Sequence, residues 1–330
     1  MRIRFLILSI ASLLVFSACE NDIDLTGEYI EAPVVLGLLN YNSDTQFVRI
    51  SKTFLEKGGN AIELAKDPQQ FLYDTLTAYL VEKSTNEHDT LKTILVNKEE
   101  GVFNSDKNVL YYSIKPIRIG ESYDLIIETP TGLVAKGSTK TIDTVAINRP
   151  ELQTRVQDIS LKNFNDLFVE YNFRVSYPAE VAQFQIKMFL MFTEVTSEGR
   201  VKKEIEIPVK EVNNQELQQG IQEDVIYQGE QFYRTIARQL PKDGIRREVA
   251  LQKSIRIEIY AADKDYRFYS NINGPISGLN QVRPEYSNVE NGIGVFASRT
   301  YSVGYTQLNQ ISRNELFHGE YTSGRGFVDP

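Results

Sequence analysis

The residue with the most distinctive chemistry is Cys19, the only cysteine among 330 residues. A lone thiol cannot form an internal disulfide or a thiolate metal site. The preceding sequence opens with Arg2 and Arg4, continues as an apolar run over residues 5–16 and ends in small side chains. This order is typical of a secretory signal peptide, and the run is shorter than the roughly 20 residues that span a bilayer. Cys19 therefore stands where a signal peptide is cut.

A cysteine directly after Ser17 and Ala18 resembles the lipobox of bacterial lipoproteins. The resemblance implies that the thiol of Cys19 receives diacylglycerol, that residues 1–18 are removed and that the new amino terminus is acylated. Two or more acyl chains anchor a protein stably, whereas one chain does so only marginally. The alternative is a buried free thiol, the usual role of a single cysteine. We expect a lipid anchor at Cys19.

Acidic residues follow the cysteine at alternate positions, as Glu20, Asp22 and Asp24. This stretch resembles the export signal that places Bacteroidota lipoproteins on the outer face of the outer membrane. The alternative is a solvated tether without a targeting role. We predict an outer-membrane lipoprotein, with the cell surface favoured over the periplasmic face and residues 19–31 as the tether.

The formal charge of the chain is −8. The signal peptide carries two arginines and no acidic residue, so the mature chain carries about −10. Nucleic-acid binders concentrate Lys and Arg, so we expect no nucleic-acid partner. Anionic headgroups would repel this chain, so we expect its contact with the membrane to depend on the lipid anchor.

Other residue patterns do not predict catalysis. His88 and His318 lack the spacing of a zinc pair, and no nucleophile motif accompanies them. Asp263 and Asp265 lack the glycine and further ligands of a calcium loop, so a helix cap is the better interpretation. Glu99–Glu100 could be half of a glycosidase pair only with a matching carboxylate nearby. We predict no catalytic residue, no metal site and no cofactor.

The segment from Gly292 to Ala297 matches the dinucleotide pattern G-x-G-x-x-A. That pattern needs a following helix, but SRTYSVGY alternates like a strand. Asn291–Gly292 can adopt positive φ at low cost, and Gly294 permits close backbone packing. We predict a tight structural turn here.

Most of the chain has the pattern of strands. Residues 167–177 alternate apolar and polar side chains, as expected for an antiparallel strand with one solvated face. Further strands are predicted at residues 33–39, 45–54, 76–81, 91–96, 109–114, 122–128, 133–140, 184–192, 201–209 and 254–260. Helices are predicted at residues 230–240, ending before Pro241, and at 263–272, capped by Asp263.

These elements predict an all-β, mainly antiparallel protein with two β-sandwich-like domains. Residues 32–143 would form an N-terminal sandwich, immunoglobulin- or transthyretin-like. Residues 144–330 would form a β-rich domain with one or two short helices, including a helical insert near residues 213–240. Residues 318–330, rich in glycine and polar side chains, are expected to be loosely ordered.

Residues 285–300 carry the sequence EYSNVENGIGVFASRT, preceded by Pro284. This run resembles the C-terminal motif of the domain-of-unknown-function 4249 family of Bacteroidota envelope lipoproteins. The matching positions in the run are Tyr286, Ser287, Asn288, Asn291, Gly292, Gly294 and Phe296. The resemblance implies two β-rich domains on a lipid tether, with the motif closing the second domain. It implies no catalytic residues, and such proteins are often encoded beside TonB-dependent outer-membrane receptors.

Three functions remain open at this stage. The first is a non-enzymatic interaction module that docks on a TonB-dependent β-barrel receptor or another envelope partner. The second is a surface binder of glycan or another nutrient, for which tyrosine pairs such as Tyr111–Tyr112 or Tyr266 and Tyr269 could supply flat surfaces. The alternative is a structural role, in which these rings fill half-buried sheet faces. The third function is a hydrolase, which needs convergent carboxylates in a cleft.

Overall fold

The structure is a computed structural model, and it describes residues 31–54, 64, 67–96, 108–153, 155–213, 222–273 and 286–330. Within these ranges the first nine strands are β1 (Pro33–Leu39), β2 (Gln46–Lys52), β3 (Thr77–Glu82), β4 (Glu87–Thr90), β5 (Lys92–Val96), β6 (Asn108–Ser113), β7 (Ser122–Glu128), β8 (Val134–Lys140) and β9 (Ala146–Arg149). The later strands are β10 (Glu170–Ser176), β11 (Gln183–Thr196), β12 (Gly199–Asn213), β13 (Gln222–Gln228), β14 (Arg246–Glu248), β15 (Ile255–Ala262), β16 (Val289–Glu290), β17 (Ile293–Thr306) and β18 (Phe327–Val328). The helices are α1 (Pro68–Phe71), α2 (Gly229–Gln239), α3 (Lys264–Asn273) and α4 (Gln310–His318).

The strands form three sheets. The largest has ten strands and runs β5-β6-β2-β1-β17-β15-β11-β12, with β14 also paired to β11 and β18 to β14. A five-stranded sheet has the order β16-β8-β7-β3-β4, and a three-stranded sheet has the order β13-β10-β9. The strand pairs are antiparallel except β1 with β17 and β14 with β18. The predicted all-β, mainly antiparallel class with sandwich-like layers is confirmed.

Two hydrophobic cores lie on the inner face of the long sheet. The first core joins β1 and β2 to the five-stranded sheet, with residues such as Val35, Ile50 and Leu125 almost fully buried. The second core joins β11, β12 and β15 to the three-stranded sheet and helices α2 and α4. Burial of these apolar faces, at about 25 cal/mol per Å², is the main force that holds the layers together.

Strand β17 belongs to both halves of the protein. Its first six residues pair in parallel with β1, as in Gly37 with Phe296, and its last eight pair antiparallel with β15, as in Tyr260 with Tyr301. The long sheet is therefore continuous from one core to the other. The domain boundary expected near residue 143 stays a prediction.

Two expectations about local structure are corrected. The C-terminal tail is ordered, because Phe327 is 4% exposed in the second core and Arg325 donates to the carbonyls of Ala237 and Leu240 at the end of α2. The family motif does not close the second region, because Phe296 and Val289 lie in the first core. Pairing of β16 with β8 and of β17 with β1 brings the motif back to the N-terminal strands.

Candidate functional site

Several predicted site residues lie outside the residues that the structure describes. They are Cys19, Glu20, Asp22, Asp24, Glu99, Glu100 and Pro284. The described chain begins at residue 31, and β1 begins at Pro33. The lipid anchor and the export signal therefore stay predictions from the sequence.

The family motif forms a corner that a side-chain amide holds. The amide of Asn288 donates to the Phe296 carbonyl at 2.8 Å, and its oxygen accepts from the Phe296 N–H, also at 2.8 Å. The Asn288 N–H donates to the carbonyl of Gly294 at 3.2 Å. Ser287 supports the same corner, since its hydroxyl accepts from the Val289 N–H at 3.2 Å and donates to the Gly292 carbonyl at 3.3 Å. The side-chain amide of Asn288 thus makes the two hydrogen bonds to the Phe296 backbone that a neighbouring strand would otherwise make.

The turn of the motif requires the residue types that it has. Asn291 has a φ of 53°, which asparagine tolerates better than most residues, and its side chain donates to the Val134 carbonyl at 3.0 Å. Gly294 has a φ of 111°, and a Cβ there would lie 2.0 Å from the backbone oxygen of Val35. At Gly292 a Cβ would lie 3.0 Å from the carbonyl oxygen of Pro33. The turn therefore lets β17 lie directly against β1.

Phe296 fills a space that two glycines leave open. The ring is fully buried, and a Cβ at Gly37 or Gly137 would approach its atoms to 2.8 or 2.7 Å. Gly37 lies on β1 in the long sheet and Gly137 on β8 in the facing sheet. Phe296 thus packs between the two layers of the first core, and the contacts of the motif are structural.

The start of α3 is tied to this corner. The Asp263 carboxylate accepts from the Tyr266 N–H at 2.9 Å, which confirms the predicted helix cap, and the Tyr286 hydroxyl donates to Asp265 Oδ1 at 2.6 Å. Burial raises the pKa of Tyr286, and the hydrogen bond to Asp265 raises it further. Phe268 of α3 packs beside the Tyr286 ring, with the ring centres 5.6 Å apart. The motif therefore also fixes α3 against the outer face of β17.

Asp263 is the most deeply buried carboxylate at this junction. It is 8% exposed, and its Oδ2 accepts from the Ser298 N–H at 2.7 Å and from the Thr139 hydroxyl at 3.2 Å. Burial raises the pKa of Asp263, and its hydrogen bonds oppose this rise only in part. One carboxylate therefore links β8, β17 and α3.

The two histidines lie far apart in the fold. His88 is exposed on β4, where its ring stacks on Tyr79 with the ring centres 5.3 Å apart. His318 is exposed at the end of α4, beside Phe317. In the described parts of the chain, no group of three or more His, Cys, Asp or Glu side chains is placed to hold a metal ion.

The outer face of the long sheet near its N-terminal strands carries exposed apolar side chains. Register pairs place Phe47 beside Tyr112 and Ile94 beside Leu110, and the Phe47 and Tyr112 ring centres are 6.3 Å apart. Phe47 is 47% exposed, Ile94 44% and Leu36 38%. We name these five residues the apolar surface. Contiguous exposed apolar patches typically mark interaction sites.

The same face carries a second cluster at the other end of β17, which we name the tyrosine surface. It consists of Tyr260, Tyr301, Val303 and Tyr305, each between 37% and 41% exposed. The Tyr260 and Tyr301 rings are 6.2 Å apart and inclined by 31°. Tyr260 donates to Glu258, and burial, together with this bond, raises its pKa to about 12. The phenol therefore stays protonated at neutral pH.

The tyrosine pairs that the sequence suggested behave differently. Tyr111 is buried in the first core at 6% exposure, while its neighbour Tyr112 lies in the apolar surface. Tyr266 and Tyr269 are half-buried on α3. Strand alternation explains the difference between Tyr111 and Tyr112, because consecutive residues of a strand point to opposite faces of the sheet.

A polar cleft of about 1070 Å³ lies beside the three-stranded sheet. Two carboxylates line it, and each accepts a hydrogen bond from a glutamine amide: Asp158 from Gln307 at 2.6 Å and Glu170 from Gln228 at 2.7 Å. A hydrolase would need carboxylates that converge on a reacting bond. The cleft supplies the concave space for such chemistry, while its two acids are held by neighbouring amides.

The two-layered architecture and its open outer face define an all-β protein of two joined cores, with exposed apolar and tyrosine side chains on that face. None of the described helices is long and apolar enough to cross a membrane. The chain belongs to the family described as Domain of unknown function (DUF4249), whose model matches residues 20–303. The match begins one residue after Cys19 and includes the motif around Phe296. A search of curated proteins finds no match.

Sequence reasoning missed the residues that make the outer face distinctive. Phe47, Tyr301 and Tyr305 were recognisable as outward-pointing positions of alternating strands, but alternation does not say which face of a sheet is covered. The arginines of the polar cleft gave no sequence signal, because they come from separate segments that the fold brings together.

Proposed function

We propose that this protein is a lipid-anchored outer-membrane lipoprotein that acts as a non-enzymatic interaction module. Its partner is a TonB-dependent β-barrel receptor or another envelope protein. The signal-peptide pattern before Cys19 supports the anchor, and the acidic residues after Cys19 favour the cell surface. Acyl chains at Cys19 would restrict the protein to partners in or near the membrane.

The observation that carries this proposal is the apolar surface. Leu36, Phe47 and Ile94 are each more than one-third exposed, and they come from three strands of one sheet face. Exposed aromatic and aliphatic side chains of this kind supply the buried centre of protein interfaces. An extended chain from Cys19 to Pro33 reaches about 50 Å, at roughly 3.5 Å per residue. A tether of this length allows the surface to contact a barrel embedded in the same membrane.

The test is purification of the acylated protein in mild detergent from its native membrane. We expect a large β-barrel protein to co-purify, and we expect the variant Phe47→Glu to lose it, since a charge would be buried at the centre of the interface. The matched control is Val201→Glu, because Val201 is 50% exposed on β12, away from the apolar surface. A wild-type protein that purifies as a solitary monomer would contradict the proposal.

The anchor is tested separately with the variant Cys19→Ala. We expect wild-type protein in the outer-membrane fraction, with an amino-terminal peptide whose mass includes acyl chains. The variant should lack these chains and appear in the soluble fraction. A mature wild-type protein with a free thiol at Cys19 would remove the basis for the membrane location.

A second candidate function is binding of a surface glycan or another nutrient, and the tyrosine surface favours it. Tyr260 and Tyr301 present neighbouring rings beside polar groups such as Gln185 and Arg299, which line a cleft of about 400 Å³. Aromatic rings beside hydrogen-bonding groups are suited to the apolar faces of sugars. A glycan array with wild-type protein and Tyr301→Ala separates the two functions. Signals lost in the variant would support glycan binding, and an array without signals would exclude it.

A further inference from the structure

The polar cleft beside the three-stranded sheet is lined by three arginines and two acids. Arg149, Arg155 and Arg174 all line it, although the whole chain has a formal charge of −8. The two acids in its wall, Asp158 and Glu170, accept hydrogen bonds from amides, as described above. The lining therefore carries three positive and two negative charges, a formal sum of +1, in a chain whose formal charge is −8.

The arginines differ in how they are paired. Arg174 forms a two-point ion pair with Asp224, with Nε–Oδ1 at 2.7 Å and Nη2–Oδ2 at 3.1 Å. Among the described residues, no carboxylate forms an ion pair with Arg149 or Arg155. Two guanidinium groups thus retain donors that can bind an anion from solution.

Arg149 is held in place within the cleft. Its guanidinium lies 5.8 Å from the centre of the Tyr171 ring, and it also donates to the phenol oxygen of Tyr171. The Tyr171 side chain is 6% exposed. This fixed ring limits the positions that Arg149 can adopt, which lowers the entropy lost when a ligand binds.

The strand register adds an electrostatic reason for an anion at this place. Arg149 on β9 stands directly opposite Arg174 on β10. Like charges at directly opposed positions of a β-sheet destabilise it. Asp224 on β13 forms its ion pair with Arg174 and also interacts electrostatically with Arg149, so this one carboxylate faces two guanidinium groups. A bound oxyanion would neutralise this repulsion.

We propose that this cleft binds an oxyanion group, a carboxylate or a phosphate, of a polar ligand, with Arg149 and Arg155 as the contacting residues. The planar fork of a guanidinium matches two oxygens of either group. The cleft volume of about 1070 Å³ exceeds what a single inorganic ion needs, so the anion would be one group of a larger molecule. The site is independent of the apolar and tyrosine surfaces.

Isothermal titration calorimetry at low ionic strength tests the site with two probes, citrate for carboxylates and pyrophosphate for phosphates. Sucrose serves as the uncharged control. We expect one or both anions to bind, and sucrose not to. Binding by citrate alone assigns the site to carboxylates, and binding by pyrophosphate alone assigns it to phosphates. Failure of both anions to bind would overturn the proposal.

Variants locate the site. We expect Arg155→Gln and Arg149→Gln each to raise the Kd of the anion at least about tenfold, a loss of about 1.4 kcal/mol. The matched control is Arg238→Gln, because Arg238 is exposed on α2 and does not line the cleft. Arg155 is also exposed, so its variant should fold normally even if Arg149→Gln disturbs Tyr171. An unchanged Kd in Arg155→Gln, or an equal change in Arg238→Gln, would show that the anion binds elsewhere.

Discussion

Asp263 and Ser298 are joined by two hydrogen bonds at the place where the two cores meet. The Ser298 N–H donates to Asp263 Oδ2 at 2.7 Å, and the Asp263 N–H donates to the Ser298 carbonyl at 3.1 Å. The Ser298 hydroxyl accepts from the Ile142 N–H at 3.0 Å, at the end of the N-terminal segment. The two halves are thus joined by a buried polar network as well as by the continuous sheet. Such networks specify a unique arrangement when all members are satisfied.

The first prediction concerns the pH dependence of this junction. Because burial raises the pKa of Asp263 above its unfolded value, its contribution to stability is full below pH about 4 and is lost as pH rises through the folded pKa. The variant Asp263→Asn does not titrate. We therefore expect the unfolding free energy of the wild type to fall relative to that of the variant as pH rises from 4 to 8. Urea titrations at each pH measure it.

The control for this experiment is Asp74→Asn, because Asp74 is exposed. This variant removes one carboxylate outside the junction, so it corrects for the loss of a negative charge anywhere in the chain. A difference for Asp263→Asn that does not change with pH would contradict the raised pKa of Asp263, and the interpretation of the junction would be wrong.

The second prediction concerns a carboxylate whose pKa is lowered, the opposite of Asp263. Asp243 accepts two hydrogen bonds from Arg247, at 2.9 and 2.7 Å, and these bonds lower its pKa to about 2. Its contribution to stability is present above the unfolded pKa and is lost as pH falls through about 2. We expect Asp243→Asn to be less stable than the wild type at pH 6, and the difference to shrink between pH 5 and 2.5. A difference that grew with acidity would contradict this.

The third prediction concerns the motif turn. Alanine at Gly294 would have to adopt a φ of 111° with its Cβ 2.0 Å from the Val35 oxygen. Alanine at Gly132 would face only the dihedral strain, since no atom lies within 4 Å of its Cβ position at a φ of 84°. We expect Gly294→Ala to cost at least about 3 kcal/mol and Gly132→Ala about 1–2 kcal/mol. Equal costs in chemical denaturation would show that β17 does not lie against β1.

The fourth prediction concerns the packing between the layers of the first core. Phe296 is fully buried between Gly37 and Gly137, so Phe296→Ala should leave a cavity and cost about 3–5 kcal/mol. The control is Phe164→Ala, because Phe164 is 86% exposed and its removal should change stability by less than about 0.5 kcal/mol. A small effect at Phe296 would show that the motif is not part of this core.

The sequence predicted those parts of the fold that depend on local pattern. Alternation from residue 167 identified β10, and Pro241 marked the end of α2. The cap at Asp263 and the Asn291 turn were also visible, because each depends on a single side chain and its nearest backbone. The predicted start of this strand was wrong, since Leu167 lies before β10 and is 61% exposed.

The features that were missed depend on contacts between distant segments. The parallel pairing of Val34 with Ile293 joins residues that are far apart in the chain, and no local pattern reports it. The order of the C-terminal tail was not predicted, because β18 has only two residues, too few to show the alternating pattern of a strand. The arginine cleft is of the same kind, because Arg149, Arg155 and Arg174 meet only after β9 and β10 pair.

The most direct test of the central claim is site-specific photo-crosslinking in intact outer membranes. A benzophenone amino acid replaces Phe47 in the full-length, acylated protein, and a second protein carries it at Val201 as the control. We predict a covalent adduct between position 47 and an outer-membrane β-barrel protein, identified by mass spectrometry, and no such adduct from position 201. Equal labelling from both positions, or no adduct from position 47, would contradict a docking role for the apolar surface.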